Sequence, residues 1–209
     1  MDKKYTIVIQ REFGSQGRSI ARKVADTLGI KFYDRDIVEQ VASTLNLPVS
    51  TISDEEEKAG GGIRYLMERF PLGTDNSYMQ DMIFSVQKDI ILNLADEGNC
   101  IFVGRCADYL LKNRSNNLNI YIYAPYAFRL NNCVNKYGMS TDQAKHMILQ
   151  VDKARSAYHK KYTGTLPNDI HIMDLMINAA MMSEDDVADI IVSAATKKFG
   201  IQKDPHIVI

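Results

Sequence analysis

The chain reads as a three-layer α/β/α sandwich on a parallel sheet of about five strands. Three observations predict it. An apolar, β-branched run at Tyr5–Gln10 enters a glycine turn, then a helical pattern with Ile20, Val24 and Leu28 on one face. Cys100–Val103 is short and wholly apolar, the composition of a strand buried on both faces. Strand-like and helix-like segments then alternate along the chain, as parallel βα units require.

Taken in order, the first helix stops at Gly29. Lys31-Phe32-Tyr33 is a brief strand, and Asp34 opens a second helix with Ile37, Val41 and Leu45 inward. Asp34 and Arg35 sit at a βα junction, where open α/β sheets bind ligands. Asp34 serves there either as a plain helix cap or as a ligand contact. Residues 53–75 change character, with the charge run Asp54–Lys58, then Gly60-Gly61-Gly62 and a short helix at 63–69. They read as an excursion from the core. A long helix follows from Asn76 to Glu97, with Met79, Ile83, Val86, Ile90 and Leu94 as its inner face.

The strand Cys100–Val103 ends in Gly104-Arg105, so Arg105 is expected to point into the crevice at the sheet's C-terminal edge. Leu118–Ala124 is another strand, followed by a helix over Tyr126–Tyr137 whose first turn carries Arg129, by position a surface residue. Ser140-Thr141-Asp142-Gln143 is a capping box opening a long helix with Ala144, Met147, Ile148 and Val151 inward. Asp152 and Arg155 share a face farther along it, at the spacing of a helix ion pair. Ile170–Leu175 is the expected last strand, with Asp174 near its end facing the crevice. Ser183 caps a closing helix carrying Val187, Ile190, Ile191 and Ala194, ended by Gly200.

Length and composition narrow the function. At 209 residues the chain can bury one full core. A net charge of −1 argues against broad nucleic-acid or membrane-surface binding. The three cysteines are few and odd in number, which points to reduced thiols and a cytoplasmic setting. No apolar run reaches the length of a signal-peptide core or a membrane span.

The turn Glu12–Ser19 is the chemically informative stretch. Gly14 and Gly17 let backbone N–H groups approach an anion, and the helix start adds partial positive charge. Against the pattern G-x-x-x-x-G-K-[ST], Glu12 stands at the first glycine and Arg18 at the lysine, while Ser19 keeps the hydroxyl. Taken alone, the turn is either a phosphate cradle or a simple joint between strand and helix.

Four stretches in this order resemble the cytidylate kinase-like branch of the P-loop nucleoside monophosphate kinases. They are I-V-I-Q-R-E-F-G-S-Q-G-R-S-I-A, F-Y-D-R-D-I, F-V-G-R-C-A-D-Y-L-L and V-D-K-A-R-S-A-Y-H-K-K-Y-T-G. The resemblance implies a P-loop kinase fold over residues 1–209, with a monophosphate-binding excursion at about 34–75 and a lid at about 139–168. It implies phosphoryl transfer from ATP, with Mg2+, to a nucleoside monophosphate, CMP or dCMP first. Gly14, Ser15, Gln16, Gly17, Arg18 and Ser19 would hold the triphosphate, with Ser19 on magnesium. Arg129 would lie near the donor base, and Asp34, Arg35, Arg105 and Asp108 would form the acceptor side. Asp152 and Arg155 match the D-x-x-R of the lid, and with Arg18 they are the expected catalytic residues. Two positions depart from the typical family pattern: Cys106 replaces an aspartate after the Gly-Arg pair, and Ile148 stands near an expected lid arginine. The alternatives are a P-loop kinase for another small acceptor, with Asp34 as base for a hydroxyl, and a non-catalytic nucleotide binder.

Overall fold

The computed structural model describes residues 4–46 and 77–201. The glycine-rich stretch, the short helix expected at 63–69 and most of the tail from 201 lie outside them. The described elements, in order, are β1 (Thr6–Arg11), α1 (Gly17–Leu28), β2 (Lys31–Tyr33), α2 (Arg35–Leu45), α3 (Ser77–Glu97) and β3 (Cys100–Val103). They continue with α4 (Ala107–Leu110), β4 (Asn117–Tyr123), α5 (Tyr126–Asn135), α6 (Thr141–Thr163), β5 (Leu175–Asn178) and α7 (Glu184–Phe199).

The strands form one sheet in the order β2-β3-β1-β4-β5, and every pairing is parallel. β1 is central, with Thr6 opposite Cys100 on one side and Asn117 on the other. Side-chain alternation divides the core into two layers. Ile7, Ile9, Ile101, Val103, Ile120 and Ile122 pack against α1 and α7, while Val8, Cys100 and Phe102 pack against α2 and α3. A third cluster joins Phe13 to Cys133, Met147, Ile148 and Val151, seating α6 on α5 beside the first loop. Ile148, where a lid arginine was sought, is part of that apolar contact.

Three expectations are corrected. The buried stripe of α3 is Ile83, Gln87, Ile91 and Ala95, with Val86, Ile90 and Leu94 only half-buried beside it. A polar Gln87 inside that stripe hid the true phase. The last strand starts at Leu175, because residues 169–173 turn around Asp169. Its carbonyl accepts from Ile172 N (3.0 Å) and Met173 N (3.1 Å), and its carboxylate accepts from His171 N (2.9 Å). Asp174 therefore precedes the strand, bonded to Asn119 N (2.8 Å) and Lys198 Nζ (3.1 Å), and not at its crevice end. On α7, Ile190 is exposed and the inward face is Val187, Ala188, Ile191, Val192 and Ala195.

Candidate active site

The loop between β1 and α1 is held from behind. Glu12 N donates to Ile122 O (3.0 Å), carrying the β1–β4 ladder one step further. The buried Ser15 hydroxyl lies between the carbonyls of Glu12 (2.9 Å) and Ile122 (3.2 Å). Gln16, in the left-handed region at φ 67°, reaches Asn132 Oδ1 (3.3 Å), and Asn132 Nδ2 donates to Gly14 O (2.9 Å). Both side chains therefore serve the loop's own shape, and the group left for a ligand is backbone N–H. Gly14 has φ 78°, and a methyl there would lie 2.9 Å from the Arg129 carbonyl and 3.0 Å from Cys133 Sγ. A methyl on Gly17 would lie 2.6 Å from Arg11 Cβ.

α1 has no side-chain cap and no acid in its first turn, whereas α6 and α7 both have complete capping boxes. The first turn of any helix leaves N–H groups without intrahelical partners. At α1 these belong to Gly17, Arg18 and Ser19, facing a place where an anion satisfies both the hydrogen bonds and the helix dipole.

Charged side chains from three elements converge on the loop's other half. Glu12 Oε2 accepts from Ala124 N (3.0 Å) and lies 3.4 Å from Arg129 Nε. Arg129 also donates to Phe13 O (3.3 Å) and pairs with Asp152, whose other oxygen accepts from Phe13 N (2.8 Å). Arg155 donates to Arg11 O (3.2 Å) and stands over the Phe13 ring, 6.0 Å from its centre. Glu12 thus replaces the first glycine of the usual pattern with an anchor, missed because only the loss of glycine was visible. Arg129 is not a surface residue, since its side chain is 11 % exposed between two carboxylates.

Arg18 Nε pairs with Asp34 Oδ2 at 2.6 Å, joining a residue expected on the triphosphate to one expected on the acceptor. Asp34 occupies the N-cap position of α2 without making a side-chain cap bond, so its carboxylate serves Arg18 and not the helix. Arg35 begins α2, and its side chain lies outside the described residues. Gly104, Arg105 and Cys106 are all in the left-handed region, at φ 76°, 64° and 56°. Two consecutive non-glycine residues there cost about 1–2 kcal/mol each, and strain of this kind concentrates at functional turns. The turn is held by Gln87 Nε2, which donates to Arg105 O (3.2 Å), and a methyl on Gly104 would collide with the Arg11 guanidinium.

Asp108 departs from its expected place on the acceptor. It is 0 % exposed, with one carboxylate oxygen accepting from Gln10 Nε2 (2.6 Å) and the other facing His159 Nε2 (2.8 Å). His159 Nδ1 faces Thr165 O (2.9 Å) and Nε2 faces a carboxylate, an arrangement that favours the imidazolium. Burial works against that charge, but the bonds to Asp108 and the Thr165 carbonyl outweigh it and raise the His159 pKa. The polar layer extends through Asn119, which donates to Asp108 O (3.0 Å), to Asn117 and Thr6. Polar residues at every second position, Thr6 and Gln10 flanking Val8 and Asn117 preceding Asn119, were its sequence signal.

Ser19 is exposed at the start of α1 with its hydroxyl on Gln16 O (2.9 Å). Burial pushes the Glu184 pKa up, yet bonds from Lys136 and Ser19 hold it below the usual range. Among the described residues no cluster of three or more His, Cys, Asp or Glu could hold a metal ion. The three cysteines are free and buried, and burial raises the thiols of Cys133 to about 11 and Cys100 to about 12. None has the depressed pKa of a reactive thiol.

A glycine loop leading into an uncapped helix, on the central strand of a parallel sheet and ringed by arginines, defines a P-loop kinase. The chain belongs to the cytidylate kinase-like family, whose model matches residues 6–181. It is 23% identical over 197 residues to a protein named cytidylate kinase from Sulfolobus acidocaldarius, covering 92% of this chain and 94% of that one. An uncharacterised protein from Eubacterium ventriosum shares the fold, with a TM-score of 0.70 at 22% identity, covering 92% of this chain and 98% of that one. So does a shikimate kinase from Acinetobacter baumannii solved with shikimate, with a TM-score of 0.55 at 12% identity, covering 94% and 95%. Family and fold make the protein a phosphotransferase of the nucleoside monophosphate kinase type. Among the described residues no helix is long and apolar enough to cross a membrane.

Proposed function

We propose that the protein transfers the γ-phosphoryl group of ATP to a nucleoside monophosphate, CMP or dCMP first, giving ADP and the diphosphate. The observation that carries this reading is the convergence of Arg18, Arg129 and Arg155 on one glycine loop whose helix start lacks a cap. Transfer between phosphates needs alignment and neutralisation of charge on the transferring group more than covalent help. In this reading the N–H groups from Gly14 to Ser19 cradle the triphosphate. Arg18 leaves Asp34 to meet the phosphate, and Arg155 contacts the phosphoryl group in transit. Arg129 and Asp152 keep the loop in shape beneath it. Arg35 and Arg105 hold the acceptor phosphate at the neighbouring strand ends. Magnesium would be bound with the donor phosphates, with the Ser19 hydroxyl as the residue offered to it, and would supply further charge neutralisation. Support for the cytosine base comes from the named relatives alone.

A second reading rests on Asp34. A nearly buried carboxylate 2.6 Å from the loop's arginine is suitably placed to serve as base for a hydroxyl acceptor. The deciding experiment is coupled ADP release with ATP, magnesium and a panel of monophosphates and small hydroxyl metabolites. Turnover with CMP or dCMP well above other nucleotides supports the first reading. Turnover confined to a hydroxyl acceptor, lost in Asp34→Asn, supports the second. ATP binding without turnover for any acceptor would remove both.

A further inference from the structure

The buried polar layer has no part in the phosphate chemistry above, yet it ties together the segments that carry the two outer arginines. Arg105 precedes Asp108 by three residues across the strained turn after β3. Arg155 precedes His159 by one turn on α6, so both lie on the same side of that helix. We propose that Asp108 and His159 are a positioning pair, whose buried contact fixes where α6 crosses the loop and so holds Arg155 at the transferring phosphate.

The spacing along α6 is the first argument, and it rests on the kinase reading above. Asp152 is anchored to the loop through Phe13 N, Arg155 follows through Arg11 O, and His159 is anchored to Asp108. Arg155 is thus bracketed by one fixed point on either side, about one helical turn away in each direction. Losing the second anchor leaves the distal half of α6 to its outer contacts with α3, Lys161 and Tyr162 on Asp81 and the Tyr162 ring on Phe84. Its register against the sheet can then shift while the loop keeps its own bonds.

Chemistry is the second argument. A contact meant only to bury surface would be apolar, and an apolar pair of similar volume often stabilises as well or better. Here each polar atom of the pair meets a partner of fixed direction. Gln10 from β1 bonds one oxygen of Asp108, the ring bonds the other, and Asn119 from β4 bonds the Asp108 carbonyl. On the far side of the ring stand the Thr165 carbonyl, the Thr163 hydroxyl (2.9 Å) and the charge of Asp169. Such a network defines one register of α6 against the sheet. Because the contact favours the imidazolium, the register is held while His159 is protonated and is released as pH rises through its raised pKa.

The test compares wild type, His159→Gln and Asp108→Asn by steady-state kinetics across pH, with hydrogen exchange of the nucleotide-free proteins beside it. Both variants are expected to lower kcat about 10- to 100-fold while leaving KM for ATP and acceptor within about threefold. Wild-type kcat falls as pH rises through the His159 titration, followed independently by its ring nitrogen resonances, and His159→Gln is flat over that range. Amides 155–163 lose protection, measured against their intrinsic exchange rates at each pH, in both variants and in wild type above the same pH. Unchanged kcat and pH profile in the variants, or a loss confined to KM, would overturn the proposal. If neither variant folds, the wild-type comparison of kcat, resonance and exchange against pH decides alone, and three unrelated midpoints reject the pair. Should wild type turn over no acceptor, the kinase reading fails. Protection of the α6 amides then still tests the anchor, and protection factors indifferent to both pH and substitution reject it.

Discussion

Arg18, Arg129 and Arg155 surround one loop, but their partners differ, and so do the expected effects of removing them. Arg18 is 43% exposed and its pair with Asp34 lies at the surface end of the loop, so Arg18→Ala should leave the melting temperature within a few degrees and abolish turnover. Retained activity would take the loop out of its proposed role. Arg155 bonds a backbone carbonyl, which a transferring phosphate outcompetes as charge develops. Arg155→Ala should therefore lower kcat by at least about 100-fold with little change in nucleotide affinity, and a loss visible only as weaker binding would contradict that assignment. Arg129 lies between Glu12 and Asp152, each about a quarter exposed. Arg129→Met leaves two carboxylates facing each other and should cost about 2 kcal/mol in denaturant unfolding, with Glu12→Gln recovering part of it. Additive losses in that pair would mean the three side chains do not act as a unit.

At the scale of elements, the loop's shape depends on glycine in a way that can be measured. Gly14→Ala places a methyl against the Arg129 carbonyl at a positive φ, and should destabilise by about 1–3 kcal/mol while weakening ATP binding. Unchanged ATP affinity in a folded Gly14→Ala protein would show that this turn does not shape the triphosphate site. Elements with a clean period were legible from the sequence. The β1–α1 unit, the capping box of α6 and the Ser183 cap of α7 appear as expected, because apolar spacing and capping chemistry are local. The phase of α3 and the start of β5 were not legible, because Gln87 and Asp169 are governed by tertiary contacts and turn bonds that leave no periodic trace. The same holds at the site: the glycines and arginines were visible, but the partners of Glu12, Asp34 and Asp108 lie 16 to 117 residues away in the chain.

Over the whole molecule, the buried layer from Thr6 to His159 couples stability to pH. His159 has a pKa raised above its unfolded value, so its pairing with Asp108 contributes fully below about pH 6.5 and is lost as pH rises through the folded value. Thermal melting should accordingly show wild type losing stability relative to His159→Gln as pH rises through that range, and parallel curves would show that the folded state does not favour the imidazolium. The sheet, the uncapped α1 and the helix α6 come together at one edge, the place where we propose phosphoryl transfer between nucleotides. The most direct test is ADP release from ATP and magnesium with CMP, dCMP, UMP, AMP and GMP offered one at a time. Turnover with CMP or dCMP far above the others, abolished by Arg18→Ala, is the predicted result. ATP binding with no monophosphate-dependent ADP release would contradict it.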